Sequence, residues 1–118
     1  MRAIRGATQV DANDRELILE ATAELVGAVL DRNELLVDDV ISVLFTTTPD
    51  LTAEFPAVAA RRMGFGDVPM LCASEIDVPD ALPRVIRLMA YAEIDRPRDL
   101  VRHAYLRGAA QLRLDIAQ

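Results

Sequence analysis

Between residues 17 and 29 the apolar side chains Leu17, Ile18, Ala21, Leu25, Ala28 and Val29 return every three or four positions, while Arg15, Glu20, Glu24, Asp31 and Arg32 fall mostly on other faces. That is the period of an amphipathic helix. The spacing predicts a helix over 13–33, opened by Asn13 with Glu16 three positions on, as in a capping box. Ahead of it, MRAIRGATQV at 1–10 reads as a short strand running into a turn at Gly6. After Asp38 and Asp39 the run Val40 to Thr47 is β-branched and aromatic enough for a buried strand, and Thr48-Pro49-Asp50 ends it with turn chemistry. In FPAVAARRM at 55–63, Pro56 sits where a first helical turn accepts it, and Gly64 and Gly66 supply a stop, so a short helix carries Arg61 and Arg62.

Val68 to Ile76 reads as another strand, Pro79 and Pro83 bracket a turn, and Arg84 to Ile94 reads as a long strand. Alternation on that last strand puts Val85, Arg87, Met89 and Tyr91 on one face and Ile86, Leu88, Ala90 and Ala92 on the other. The tail adds an apolar stretch at Ala104 to Leu106 and a helical turn near Gly108 to Leu112. No internal repeat, low-complexity run or linker interrupts the chain, and its 118 residues suit one domain over 1–118.

Charge narrows the partners. Thirteen basic against nineteen acidic residues give a formal net charge of −6, which argues against nucleic acid and anionic membrane surfaces. Every basic residue is an arginine, so lysine Schiff-base chemistry is excluded, and a guanidinium reads carboxylates bidentately as an ammonium cannot. One cysteine, Cys72, cannot form an intramolecular disulfide, and one histidine, His103, cannot build a His-rich metal site. Residues 1–10 lack an apolar run of signal-peptide length, and no segment approaches the ~20 apolar residues of a membrane span, so a cytoplasmic location is expected.

Arg87 is the most informative single residue, because its strand face is otherwise apolar. A guanidinium there needs an anion: an internal ion pair with Glu75, Asp77 or Glu93, an edge position reaching water, or an anionic ligand in an arginine-lined pocket. Arg5, Arg61 and Arg113 each read alone as surface charges, but arginines on several elements can converge on a ligand with more than one carboxylate. Glu75 either neutralises Arg87 or orients a ligand hydroxyl. Cys72 lies in an apolar strand and reads as a small buried hydrophobe, and Tyr105 reads as a core aromatic whose hydroxyl could also meet a carboxylate. No catalytic-triad set, glycine-rich phosphate loop or HExxH motif is present.

Taken in order, IRGAT at 4–8, TPDLTAEFPAVAAR at 48–61, VPMLCASEIDV at 68–78, VIRLM at 85–89 and RHAYL at 102–106 resemble the monofunctional chorismate mutases of the AroH class over nearly the whole chain. The resemblance implies an α+β fold, a mixed β-sheet packed against one long helix in a pseudo-α/β-barrel homotrimer with active sites between subunits. It implies the rearrangement of chorismate to prephenate without cofactor or metal. Arg87 would then meet the ether oxygen and a substrate carboxylate, Arg5 a carboxylate with help from Tyr105, and Glu75 with the Cys72 backbone the ring hydroxyl. Leu71, Ala73 and Ser74 would form that wall, Phe55, Ala57 and Arg61 would come from the neighbouring subunit, and Leu112 with Arg113 would close over the site. Two departures stand out: Val58 where the family often has a rim lysine, and Leu71 where it often has a polar residue. Two other functions are compatible with a small arginine-bearing trimer: an imine or enamine deaminase, for which the sequence offers no water-activating arrangement, and a noncatalytic module that binds a carboxylate metabolite.

Overall fold

A computed structural model describes residues 1–113, Arg113 through its backbone alone. The elements run β1 (Arg2–Gln9), α1 (Arg15–Arg32), β2 (Val40–Thr47), α2 (Ala57–Ala60), β3 (Met70–Ser74), β4 (Val85–Ala92) and β5 (Ala104–Tyr105). Short 3-10 turns at Val37–Asp39, Arg98–Leu100 and Arg107–Arg113, and a wide π turn at Arg61–Phe65, complete the path. Among the described residues the strands form one five-stranded sheet in the order β3-β2-β4-β1-β5. The central β4 is antiparallel to β1 and β2, while β3 runs parallel to β2 and β5 parallel to β1, so the sheet is mixed.

Helix α1 packs its apolar stripe across one face of this sheet. Leu25, Val26 and Val29 meet Ile4 of β1, Val43 and Phe45 of β2 and Leu88 and Ala90 of β4, with Ala57, Ala60 and Phe65 filling in from α2 and the turn after it. A second cluster of Val10, Ile18, Ala21, Leu51 and Ile86 seals the end where α1 begins. The left-handed backbone at Gly64 (φ 100°) turns the chain out of α2, a conformation that glycine alone adopts freely.

Two local expectations are corrected. Gly6 is not a turn: β1 runs unbroken to Gln9, and the glycine stands at its centre because a Cβ there would press on Leu25, Leu88 and the Ala104 carbonyl. Helix α1 is capped by Asp14, whose carboxylate accepts from the Leu17 amide at 3.1 Å, and not by Asn13. Asn13 faces the chain after β2, accepting from the Thr52 and Ala53 amides, both at 3.0 Å. At the other end of α1 the fully buried Asn33 donates to the carbonyls of Val29 and Arg102 and accepts from the Arg102 amide, all at 2.8 Å. That single side chain ties the helix end to the segment entering β5.

Among the described residues, the sheet's second face is covered at one margin, where Ala109 and Leu112 of the last turn pack on Ala7, Val85 and Tyr105. Elsewhere Leu44, Leu71 and Tyr91 stand exposed on it. Among the described residues no helix is long and apolar enough to cross a membrane.

Candidate active site

The pairing register assembles the site across this open face. Paired Cα positions carry their side chains to the same side of a sheet. One row therefore reads Tyr105, Ala7, Arg87, Thr46 and Ala73 from β5 to β3, and the next reads Arg5, Met89, Leu44 and Leu71. Arg5, Gly6, Leu44, Thr46, Arg87, Met89 and Tyr105 enclose a hollow of about 310 Å³. Alternation on β4 is as expected: Leu88, Ala90 and Ala92 are buried beneath α1, and Arg87 and Tyr91 point the other way.

Arg87 is not a buried charge. Its side chain is 44% exposed and pairs through Nε with Glu75 Oε2 at 3.1 Å. Glu75 is the more enclosed partner, and the Thr46 hydroxyl donates to the same Oε2 at 2.7 Å. The Glu75 amide donates to the Thr47 carbonyl, carrying the β2–β3 ladder one residue past the strand and aiming the carboxylate at β4. A half-exposed pair of this kind contributes at most about 1 kcal/mol to stability. Its consequence is geometric, since it fixes where the guanidinium lies beside the hollow. Arg5, in the adjacent row, lines the same hollow, and with Glu75 paired to Arg87 the balance there is positive, suited to a ligand with more than one carboxylate. The ring of Tyr105 is buried among Ala7, Val85 and Ala109 as a core aromatic, and it also lines this hollow.

Cys72 and Ser74 take the opposite parity on β3, paired with Phe45 and Thr47. With Pro49, Leu51, Thr52, Ala53, Glu54, Phe55 and Pro56 they border a second hollow, of about 400 Å³, on the helix side of the sheet. Cys72 is exposed there, which corrects the expectation of a buried hydrophobe: β3 is an edge strand whose residues from Leu71 to Ser74 stand exposed. Phe55 is 66% exposed. Ala57 instead buries its methyl in the core under α1, so only its main chain can meet a ligand. Arg61 is exposed at the end of α2, on the helix side. Leu112 is half-buried against the Tyr105 cluster. The side chain of Arg113 lies outside what the structure describes.

The candidate residues thus fall into two sets. Arg5, Leu71, Glu75, Arg87 and Tyr105 share the open face, Phe55, Cys72, Ser74, Ala57 and Arg61 belong to the other side, and Ala73, of open-face parity, borders the second hollow at the β3 edge. Three contributors escaped the sequence reading. Thr46 holds Glu75, and strand parity on 40–47 was its only signal. His103 accepts the Arg5 amide. Glu54 accepts the Phe55 amide at 2.8 Å and pairs with Arg15 Nε at 2.8 Å. The Phe55 amide first, then the Arg15 hydrogen bond and the charges of Arg15 and Arg62, hold the Glu54 carboxyl below the usual carboxylate range against a smaller opposing effect of burial. Among the described residues no group of three or more His, Cys, Asp or Glu side chains is placed to hold a metal ion.

Comparison with known proteins gives this geometry a setting. Residues 1–116 match the sequence model of the family described as chorismate mutase type I. The chain is 47% identical over 117 residues to the chorismate mutase AroH of Thermus thermophilus, covering 98% of this chain and 96% of that protein. It is 40% identical over 118 residues to the chorismate mutase AroH of Bacillus subtilis (strain 168), covering 99% and 93% respectively. Among solved structures, the chorismate mutase from Clostridium thermocellum is similar with a TM-score of 0.93 at 42% identity, over 94% of this chain and 99% of that one.

Proposed function

The chain belongs to the type I chorismate mutase family, and from that premise we propose that it rearranges chorismate to prephenate, with Arg87 as the principal catalytic residue. The reaction is unimolecular: one carbon–oxygen bond of the ether breaks as a carbon–carbon bond forms within the same molecule. Catalysis therefore amounts to holding a flexible dianion in its compact reactive conformer and meeting the negative charge that grows on the ether oxygen. The observation that carries the reading is the Arg87–Glu75 pair at 3.1 Å, set on an open face beside Arg5.

In this reading Nε of Arg87 is anchored by Glu75, and the fork beyond it reaches the ether oxygen and one carboxylate. Arg5 takes a carboxylate, with the Tyr105 hydroxyl assisting. Glu75 and the Cys72 main chain hold the ring hydroxyl, and Leu71, Ala73 and Ser74 form the wall beside it. Leu71 is highly exposed and apolar, so that wall acts through its backbone and its bulk. Phe55, the Ala57 main chain and Arg61 serve a neighbouring copy's site, and Leu112 with Arg113 closes the mouth. Arg61 supplies the rim charge that Val58 lacks. The assembly is a homotrimer, in which the uncovered sheet faces carrying Leu44, Leu71 and Tyr91 pack together into a barrel-like core. The enzyme acts in the cytoplasm in the supply of phenylalanine and tyrosine, with neither nucleic acid nor membrane as partner.

The test is the loss of chorismate absorbance by purified protein without added metal or cofactor, with prephenate identified as product. Arg87→Ala is expected to lower kcat/KM by at least ~10²–10³-fold. Arg87→Lys should be severely impaired too, because one ammonium cannot reproduce a two-pronged fork. Near-normal turnover by either folded variant refutes the mechanism. Ammonia release from an enamine, or saturable dicarboxylate binding without turnover, would replace the mutase with a deaminase or a binding module. Sedimentation equilibrium at the mass of three chains tests the trimer.

A further inference from the structure

We propose that His103 is a positioning residue for Arg5, acting through an imidazole nitrogen that takes the place of a backbone carbonyl in the sheet. The pairing of β1 with β5 is two residues long, Gly6 with Ala104 and Ala7 with Tyr105. One step before it, on the same edge of β1, the Arg5 amide donates to His103 Nδ1 at 2.9 Å. In an extended ladder that rung would end on main chain. Here the main chain of 102–103 is turned toward the end of α1: the Arg102 amide and carbonyl are both bound by the buried Asn33 side chain, and the His103 carbonyl accepts from Arg32 Nη1 at 3.3 Å. The imidazole fills the rung that the carbonyl has left.

An unpaired backbone N–H in a partly buried strand is costly, so its acceptor matters. The donor belongs to the residue whose guanidinium lines the hollow beside Arg87. A tether at the Arg5 main chain fixes the base of that side chain and so the direction from which it meets a carboxylate. The bond also fixes the tautomer. Nδ1 presents its lone pair to Arg5, and the ring proton is on Nε2. Asn33, Arg102, His103 and Arg5 form one relay from the end of α1 to the site.

The proposal's kinetic consequence rests on the mutase reading, whereas its structural core does not. Two substitutions separate an acceptor from a space-filler. His103→Leu keeps bulk and loses the acceptor, while His103→Asn loses bulk and keeps an acceptor atom, Oδ1, at the same branch. His103→Leu is expected to raise KM for chorismate about tenfold with kcat within about threefold of the parent, and His103→Asn to stay within about threefold in both, the pattern of a mispositioned binding group. Independently of turnover, exchange of the Arg5 amide hydrogen should quicken at least about tenfold in His103→Leu and remain slow in His103→Asn. Because this is the sole histidine, the ¹⁵N shifts of the wild-type imidazole report its tautomer without assignment ambiguity. A proton on Nδ1 overturns the proposal. So does native KM with native Arg5 protection in His103→Leu, or equal damage in both variants. If His103→Leu fails to fold, the wild-type tautomer and the His103→Asn exchange rate still decide. If the wild type leaves chorismate unchanged, the mutase reading falls while the exchange and tautomer results judge the tether.

Discussion

Gly6→Ala tests why a glycine stands in the middle of a strand. A Cβ at this position would lie 3.1 Å from Leu25 Cδ1, 3.3 Å from Leu88 Cγ and 3.4 Å from the Ala104 carbonyl oxygen. Carbon atoms rest about 3.5–4.0 Å apart, so two neighbours must each yield by a few tenths of an ångström. Both are held in the core beneath α1: Leu25 is fully buried and Leu88 is 5% exposed. Overpacking of this kind costs about 1–3 kcal/mol, and reduced freedom of the unfolded chain offsets about 0.4–1 kcal/mol of it. At the middle of both ranges the net loss is about 1.3 kcal/mol, a melting temperature lower by about 5 °C for a chain of this size. Thermal melts followed by far-UV circular dichroism, at one fixed protein concentration, provide the assay. Gly108→Ala is the internal control, since the nearest atoms to its Cβ are those of the Gln9 side chain, which can swing aside at the expense of its hydrogen bond to the Pro83 carbonyl. If Gly6→Ala melts at or above the parent, or Gly108→Ala is the more damaging change, the close-approach argument is wrong.

Thr8 is fully buried, and its hydroxyl has no hydrogen-bond partner among the described residues; Thr8→Val should therefore raise stability by about 1 kcal/mol, and a lower urea midpoint would contradict this. Glu54 has a folded-state pKa depressed below 4.5, so its stabilisation is present above that value and is lost as pH falls through the folded one. Glu54→Gln should match the parent at the acid end and fall behind as pH rises through 4.5, seen in urea midpoints against pH. Chains carrying Arg87→Ala and Arg61→Ala, each weakly active alone, should complement when unfolded and refolded together. About one site in four regains both groups if a cyclic trimer draws them from different chains; activity no greater than the sum of the two parents would show that one chain supplies both.

The parts of this fold that could be read from the sequence are those in which one element carries its own signal. The period of α1 and the alternation of β4 each state which face is buried, and Arg87 stands out because it breaks an apolar face; the β-branched run of β2 marks a strand, but not a fully buried one, since Ile41 and Leu44 are exposed on it. What escaped depends on partners distant in sequence. Gly6 has the look of a turn residue, and only the approach of Leu25 and Leu88 makes it a strand residue. Asn13 and Asp14 are equally good caps by type; the amides of Thr52 and Ala53 claim the first and leave the helix to the second. Cys72 sits in an apolar run, yet its strand is an edge, a property of strand order that no local pattern encodes. The links of His103 to Arg5 and of Thr46 to Glu75 are hydrogen bonds between segments distant in sequence, visible only in the fold. The roles beyond Arg87 came from the family resemblance, not from periodicity.

The division of the candidate residues between two faces bears on how such a site can work at all. Arg5, Arg87 and Glu75 project from one side of the sheet, whereas Phe55 and Arg61 are carried by the α2 region, which packs against α1 on the other. A sheet is a wall of paired backbone, and side chains on its two faces cannot close on one small ligand from opposite directions. A single chain therefore presents two separate groups of candidate residues, one carrying the paired and neighbouring arginines and one an exposed aromatic ring with Arg61. The edge strand β3 lies where they meet: Ala73 borders the helix-side hollow while its register partner Thr46 borders the other. In the proposed trimer a second copy would join along that edge, so that its Phe55 and Arg61 face the first copy's Arg87 and two open half-sites become one enclosed site. Under that proposal a 118-residue chain, with little room for a private pocket of its own, would share the exclusion of water around a dianion with its neighbour, where the field of the Arg87 guanidinium is strongest.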